Sequence, residues 1–188
     1  MLNFISFDFV ALKCLLTTSL FSAVNVFGCA QQGDKSTWSK EQLIYHEVFI
    51  KFCRYVDNKD TDKLSVDSLF KNYIYFDYVL NDTSLSRKER RLKIFPSVLQ
   101  PLHHFIDSVG ANNLDSRPIS FYERDVDFFK PFTLELKQTI PNVLVYYKKG
   151  RKNDPAGTIL FDPITHKMVA WEIISQGGYY YFMTFNLL

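Results

Sequence analysis

Cysteine is scarce in this chain: three residues in 188, at positions 14, 29 and 53, and no two of them in a C-x-x-C arrangement. That spacing leaves out the paired-thiol redox motif and the cysteine-based zinc sites. Charge of one sign is lacking too. Lysine and arginine number 22 against 20 aspartate and glutamate, a net of +2. So even a balance carries no electrostatic footprint for nucleic acid. The sequence also contains no glycine-rich phosphate loop, no G-x-S-x-G and no H-E-x-x-H, so the familiar routes to phosphoryl transfer, serine hydrolysis and zinc hydrolysis have no anchor here. Finally, the uncharged, largely apolar stretch Cys14–Cys29 is shorter than the ~20 residues that a membrane-spanning helix needs.

That stretch organises the reading of the rest. Its length suits the ~7–15-residue apolar core of an export signal, and Lys13 supplies a positive flank, with Asp8 opposing it. It ends in Val26-Phe27-Gly28-Cys29. This run resembles the lipobox of bacterial lipoprotein precursors, with an aliphatic residue at −3 and a small one at −1 before the cysteine. Phe27 at −2 is larger than the residue usual there. The resemblance covers the first 29 residues only. It implies that Cys29 receives a diacylglyceryl group on its thiol, that cleavage falls before it, and that the new amino terminus is acylated. A protein so processed is held in a bacterial cell envelope by its lipid, facing the periplasm or the surface. The alternatives are an uncleaved N-terminal helix, packed or anchoring, an ordinary secreted protein, and a longer anchor that also takes in the apolar residues of Leu2–Val10.

On the lipoprotein reading the chain divides into a signal peptide over 1–28, a lipidated tether over 29–38 with polar Gln31–Lys35, and one domain over 39–188. The 160 residues left after cleavage are enough for a real core. They keep the net charge of +2, because one base and one acid leave together. With 18 phenylalanines and 11 tyrosines in the chain, a well-packed domain is expected rather than a disordered one. Cys53 becomes the domain's single unmodified cysteine, so no internal disulfide forms and burial is expected for it.

Taken in order, Ser39-Lys40-Glu41-Gln42 reads as a capping box. Tyr45, Val48, Phe49, Phe52, Cys53 and Val56 follow at i, i+3, i+4, i+7, i+8 and i+11, the buried stripe of a helix that Asp57–Asp60 ends. Ser65–Lys71 suits a short second helix, and Asn72–Leu80 suits a strand or a continuation of that helix. Ser86-Arg87-Lys88-Glu89 reads as a second capping box. It opens a helix that runs to about Val109, with Pro96 and Pro101 kinking it or cutting it in two. From Pro118 onward strands are expected at Ile119–Glu123, Thr133–Lys137, Val143–Tyr147, Thr158–Phe161, Met168–Ile174 and Tyr179–Phe185. The fold class is therefore α+β: N-terminal helices packed on one face of a curved antiparallel sheet meander. This element order resembles the cystatin-like or nuclear-transport-factor-like cone, with a long helix in the palm of a bent sheet.

Chemistry is thin. His46 and Cys53 share a helix at i, i+7, about 10 Å of rise apart, too far for a nucleophile pair. Neighbours His103 and His104 point ~100° apart and do not chelate together. The run Arg87, Lys88, Arg90, Arg91, Lys93 reads as a solvated face, or else as a contact for anionic head groups. Asp125 and Asp127 read as solvated acids in a loop, or else as two carboxylates ~7 Å apart on one side of a strand, a spacing at which such pairs can do acid–base work. Trp171, Tyr179 and Tyr181 are the candidate lining of a ligand pocket, or otherwise core facing the helices. No catalytic residue, metal site or cofactor is assigned. The function read from this is a lipid-anchored envelope protein with a non-enzymatic binding domain for a protein, glycan or small ligand, and no nucleic acid. The alternative is a small enzyme with a sheet-lined pocket holding scattered Asp, His or Tyr.

Overall fold

Ser39 Oγ accepts the N–H of Gln42 at 3.2 Å, and the Gln42 side chain accepts the N–H of Ser39 at 3.0 Å. This closed capping box starts α1 (Lys40–Val56), which ends at Asp57. The computed structural model describes residues 35–57, 59–60, 63–76 and 85–187. Cys14, Cys29, the segment 77–80 and the loop 81–84 lie outside the described residues. The chain parts into two units between Trp38 and Ser39. In the first, Lys35–Thr37 form a 3-10 turn, and Lys35 Nζ stands 5.5 Å from the centre of the Trp38 ring.

The second unit is α+β. After α1 come α2 (Val66–Asn72), capped by Ser65 Oγ on Ser68 N–H, and α3 (Leu85–Val109). Four strands follow: β1 (Leu114–Pro118), β2 (Val143–Lys148), β3 (Gly157–Phe161) and β4 (Met168–Ala170). They pair antiparallel in chain order, a meander. Helix α4 (Val126–Thr133) lies between β1 and β2 in sequence. Strands β5 (Ile173–Gln176) and β6 (Tyr179–Phe182) form a separate two-stranded hairpin. Its two-residue turn is Gly177-Gly178, both at positive φ, 62° and 85°, as the tight hairpin turns with the sheet's own twist require.

Alternation along the strands divides the core in two. Leu144, Tyr146, Ile159, Phe161 and Met168 pack with the buried stripe of α1 and with Phe95, Leu99, Leu102 and Ile106 of α3. Val143, Val145, Leu160 and Val169 pack instead with Phe129 and Phe132 of α4, Leu136 and Phe182. Helix α1 is fixed by rings: Tyr45 stacks on Phe161 with centroids 4.6 Å apart, and Phe49 meets Tyr146 at 5.6 Å. Beyond β4, Ile74 makes one parallel bridge to Met168.

Several expectations differ from what is found. The four-stranded sheet is covered on both faces, not one, because the helix Val126–Thr133 packs on the strand residues that alternate with those facing α1 and α3. Ile119–Tyr122 is a 3-10 helix and the strand is the preceding Leu114–Pro118. Thr133–Lys137 ends α4 and turns; a half-buried strand would place Leu134 and Leu136 on one face, yet Leu134 is 53% exposed and Leu136 is buried. Helix α3 starts at Leu85, so Ser86 lies inside its first turn, and the helix is assigned continuously through Pro96 and Pro101. Its buried residues continue past both prolines, and tertiary packing holds the turns that a lost hydrogen bond would loosen. The expected strand Met168–Ile174 breaks at Trp171-Glu172 into β4 and β5. The last strand ends at Phe182 and not at Phe185.

Candidate functional site

The β5–β6 hairpin, α4 and the start of β3 surround a cavity of about 350 Å³. The hairpin register places it. Ser175 faces Tyr180 across the ladder, and both line the cavity, while the next pair, Ile174 and Tyr181, faces outward. Phe128 and Asp127 reach it from α4, and Trp171 from the link between β4 and β5. Of the three aromatic residues singled out from sequence, Trp171 lines this cavity, whereas Tyr179 and Tyr181 lie on the opposite, exposed face of the hairpin. Tyr180 takes the place expected of its neighbours. Alternation along a strand alone gives two sets and does not say which faces inward.

Asp125 and Asp127 are both exposed, as solvated acids would be, but they open a helix in place of the expected loop, and the strand-side pair does not form. Asp125 is the N-cap of α4, its carboxylate accepting the N–H of Phe128 at 3.2 Å. Asp127, in the first turn, lines the cavity and makes no hydrogen bond or ion pair among the described residues. Thr158 on β3 is 6% exposed, lines the same cavity, and its hydroxyl has no protein partner among the described residues. The lining thus has one carboxylate and several hydroxyls, without histidine, cysteine, lysine or arginine.

A second polar cluster joins α1 to β1. His46 Nδ1 lies 2.8 Å from Ser116 Oγ and 3.8 Å from Asp115 Oδ1. Serine, histidine and aspartate in contact suggest a triad, but a triad places the acid on one ring nitrogen and the hydroxyl on the other. Here both converge on Nδ1, and Ser116 is 1% exposed, closed to substrate. The cluster clasps helix to strand and satisfies a buried hydroxyl. His46 is thereby engaged away from Cys53, which is fully buried and free.

Other candidates resolve into structure. His103 Nε2 lies 2.9 Å from the Val56 carbonyl and 3.5 Å from Asp107, tying α3 to the end of α1, while His104 is exposed. No group of three metal-ligating side chains occurs among the described residues. The basic run is not one solvated face: Arg90 and Lys93 are exposed, but Arg91 is buried with its guanidinium 5.6 Å from the Phe76 ring. Arg117, which sequence reading passed over, is buried on β1. Its guanidinium lies 4.4 Å from Tyr122 and 5.8 Å from Tyr147, and it donates to the Lys152 carbonyl at 2.9 Å. Tyr122 also donates to that carbonyl, so one cation and one phenol pin the β2–β3 turn.

Burial pushes the Cys53 thiol up, with the Asp57 charge adding to the effect, so the reactive thiolate is disfavoured. Burial likewise pushes the Tyr146 hydroxyl from 10.0 up to about 12. Both groups bind their proton more tightly when folded. Their stabilisation is therefore complete below their unfolded values and is lost as pH rises through the folded ones. For Tyr146 that window is pH 10 to 12, and a shift of this size corresponds to about 2–3 kcal/mol. The midpoint of urea unfolding should fall across this window, and Tyr146→Phe should flatten the fall. An equal fall in both proteins contradicts the assignment.

With this geometry in view, no known protein family, curated protein or solved structure matches the chain. Among the described residues no helix is long and apolar enough to cross a membrane.

Proposed function

We propose that this is a lipid-anchored protein of the bacterial cell envelope, held through Cys29, whose folded part is a non-enzymatic binding domain. Its ligand site is the cavity beneath the β5–β6 hairpin. The observation that carries the binding role is a lining of aromatic and hydroxyl groups beside one carboxylate, with no histidine or cysteine among its described residues to activate a hydroxyl or attack in its place. Ligand sites are mostly apolar concavities with a few polar groups that fix orientation. The anchor rests on Val26-Phe27-Gly28-Cys29 at the end of an uncharged stretch, ten residues before the capped start of α1. Stable anchoring takes more than one acyl chain, and the lipobox resemblance supplies them on Cys29.

The test is metabolic palmitate labelling of the full chain in a bacterial host. Wild type is expected to carry label and to sediment with membranes. Cys29→Ala is expected to lose the label entirely. Equal labelling of the two proteins overturns the anchor.

A further inference from the structure

The lining of the hairpin cavity specifies a class of ligand, given that the cavity is the binding site. Among the described residues its one formal charge is the carboxylate of Asp127, and no lysine, arginine or histidine lines it. Capping explains Asp125 and leaves Asp127 over: the N-cap bond to Phe128 N–H is made by Asp125. A carboxylate in a first helical turn suits the helix dipole, which accounts for the acid but not for what surrounds it. Phe128 comes from α4, Trp171 from the β4–β5 link and Tyr180 from β6. Three separate elements bring three aromatic side chains to one cavity beside that charge.

Aromatic faces carry negative quadrupole potential, and a cation seated over them gains about 0.5–2 kcal/mol or more as it is desolvated. An anion would meet the Asp127 carboxylate, with no lysine, arginine or histidine among the described lining residues to offset it. A purely apolar ligand would fill the aromatic part but make no use of the Asp127 carboxylate, and would leave the buried Thr158 hydroxyl without a partner. An organic ammonium with apolar substituents satisfies both halves. The volume of about 350 Å³ lies at the small end of ligand cavities, which run to ~1,000 Å³, and suits one compact head group. We propose that the cavity binds a small organic cation, a quaternary or N-methylated ammonium, held by Phe128, Trp171 and Tyr180 with Asp127 as its counter-charge. Thr158 and Ser175 are placed to hydrogen-bond a hydroxyl carried by the same ligand.

Calorimetric titration of the purified full chain tests this with three probes: choline, its uncharged isostere 3,3-dimethylbutan-1-ol, and methyl glucoside. Choline is expected to bind at least about tenfold more tightly than the isostere, a gap of about 1.4 kcal/mol. Asp127→Asn, at an exposed position, should weaken choline by a similar factor, leave the isostere unchanged and leave the melting temperature unchanged. Tyr180→Leu should weaken choline as well. Equal binding of choline and the isostere overturns the cation and keeps the cavity as an apolar binding site. Binding of the glucoside alone does the same in favour of a polyol. Choline binding that survives both substitutions places the cation elsewhere and overturns the proposal, as does absence of binding by all three probes. None of these outcomes bears on the lipid anchor, which palmitate labelling reads separately.

Discussion

Phe95→Ala is expected to cost about 3–5 kcal/mol of folding stability, the range for deleting a buried phenylalanine ring. Phe95 is 1% exposed and lies where four parts of the chain meet. Its ring centre is 5.3 Å from Phe76, 5.4 Å from Phe70, 5.9 Å from Phe185 and 6.0 Å from Trp171. Those rings come from α2, the segment after it, the link between β4 and β5, and the 3-10 turn after β6. Alanine would remove the shared contact, and the neighbours, being packed on other elements, cannot all move in to fill the space. A domain typically holds 5–15 kcal/mol in total, so the variant should unfold at much lower urea. Ile164→Ala, at a site 85% exposed, is the control and should change stability by less than about 0.5 kcal/mol. A loss below about 1 kcal/mol for Phe95→Ala would contradict the packing described.

Gly157→Ala adds a single methyl group and is expected to destabilise the protein by about 1–3 kcal/mol, the usual cost of overpacking. A Cβ at this position would lie 2.6 Å from the Tyr146 hydroxyl oxygen and 2.8 Å from two of its ring carbons. Gly157 faces Tyr146 across the β2–β3 ladder. The tyrosine ring cannot swing aside freely, since Phe49 and Phe105 each lie 5.6 Å from it. Glycine here is a requirement of close approach, not of backbone conformation. The double variant with Tyr146→Ala separates the two effects: the added methyl group should then cost almost nothing. An equal cost in both backgrounds would place the strain in the backbone and contradict the clash.

The parts legible in the sequence are those written in local chemistry. Ser39 and Gln42 announce the start of α1 three residues apart, and the stripe from Tyr45 to Val56 announces its inner face, where Tyr45, Phe49, Phe52, Cys53 and Val56 are buried. The turns at Lys148–Gly157 and Asp162–Lys167 mark the ends of β2, β3 and β4 because glycine, proline and charge interrupt apolar runs. What escaped was set by tertiary context. Strand β1 reads as polar, Leu-Asp-Ser-Arg-Pro, yet it is largely buried, because His46 satisfies Ser116, and aromatic rings and the Lys152 carbonyl hold Arg117. Helix α4 was hidden by Pro131, although Asp125 ahead of Phe128, Phe129 and Phe132 was an available cap-and-stripe signal. The cavity was half legible. Trp171 was singled out, but Tyr180 was not, since a run of three tyrosines shows that faces alternate and not which one the hairpin turns toward α4. Asp127 was noticed for a strand it does not occupy, and its place in the lining depends on the helix that replaced that strand.

We propose that Cys29 becomes the lipidated first residue of the working protein. Intact-mass spectrometry of the protein extracted from bacterial membranes in detergent tests this most directly. The expected species begins at Cys29, with the mass of residues 29–188 plus that of a diacylglyceryl group and any amide-linked acyl chain. A mass equal to residues 1–188, or to an unmodified chain cleaved elsewhere, would contradict it.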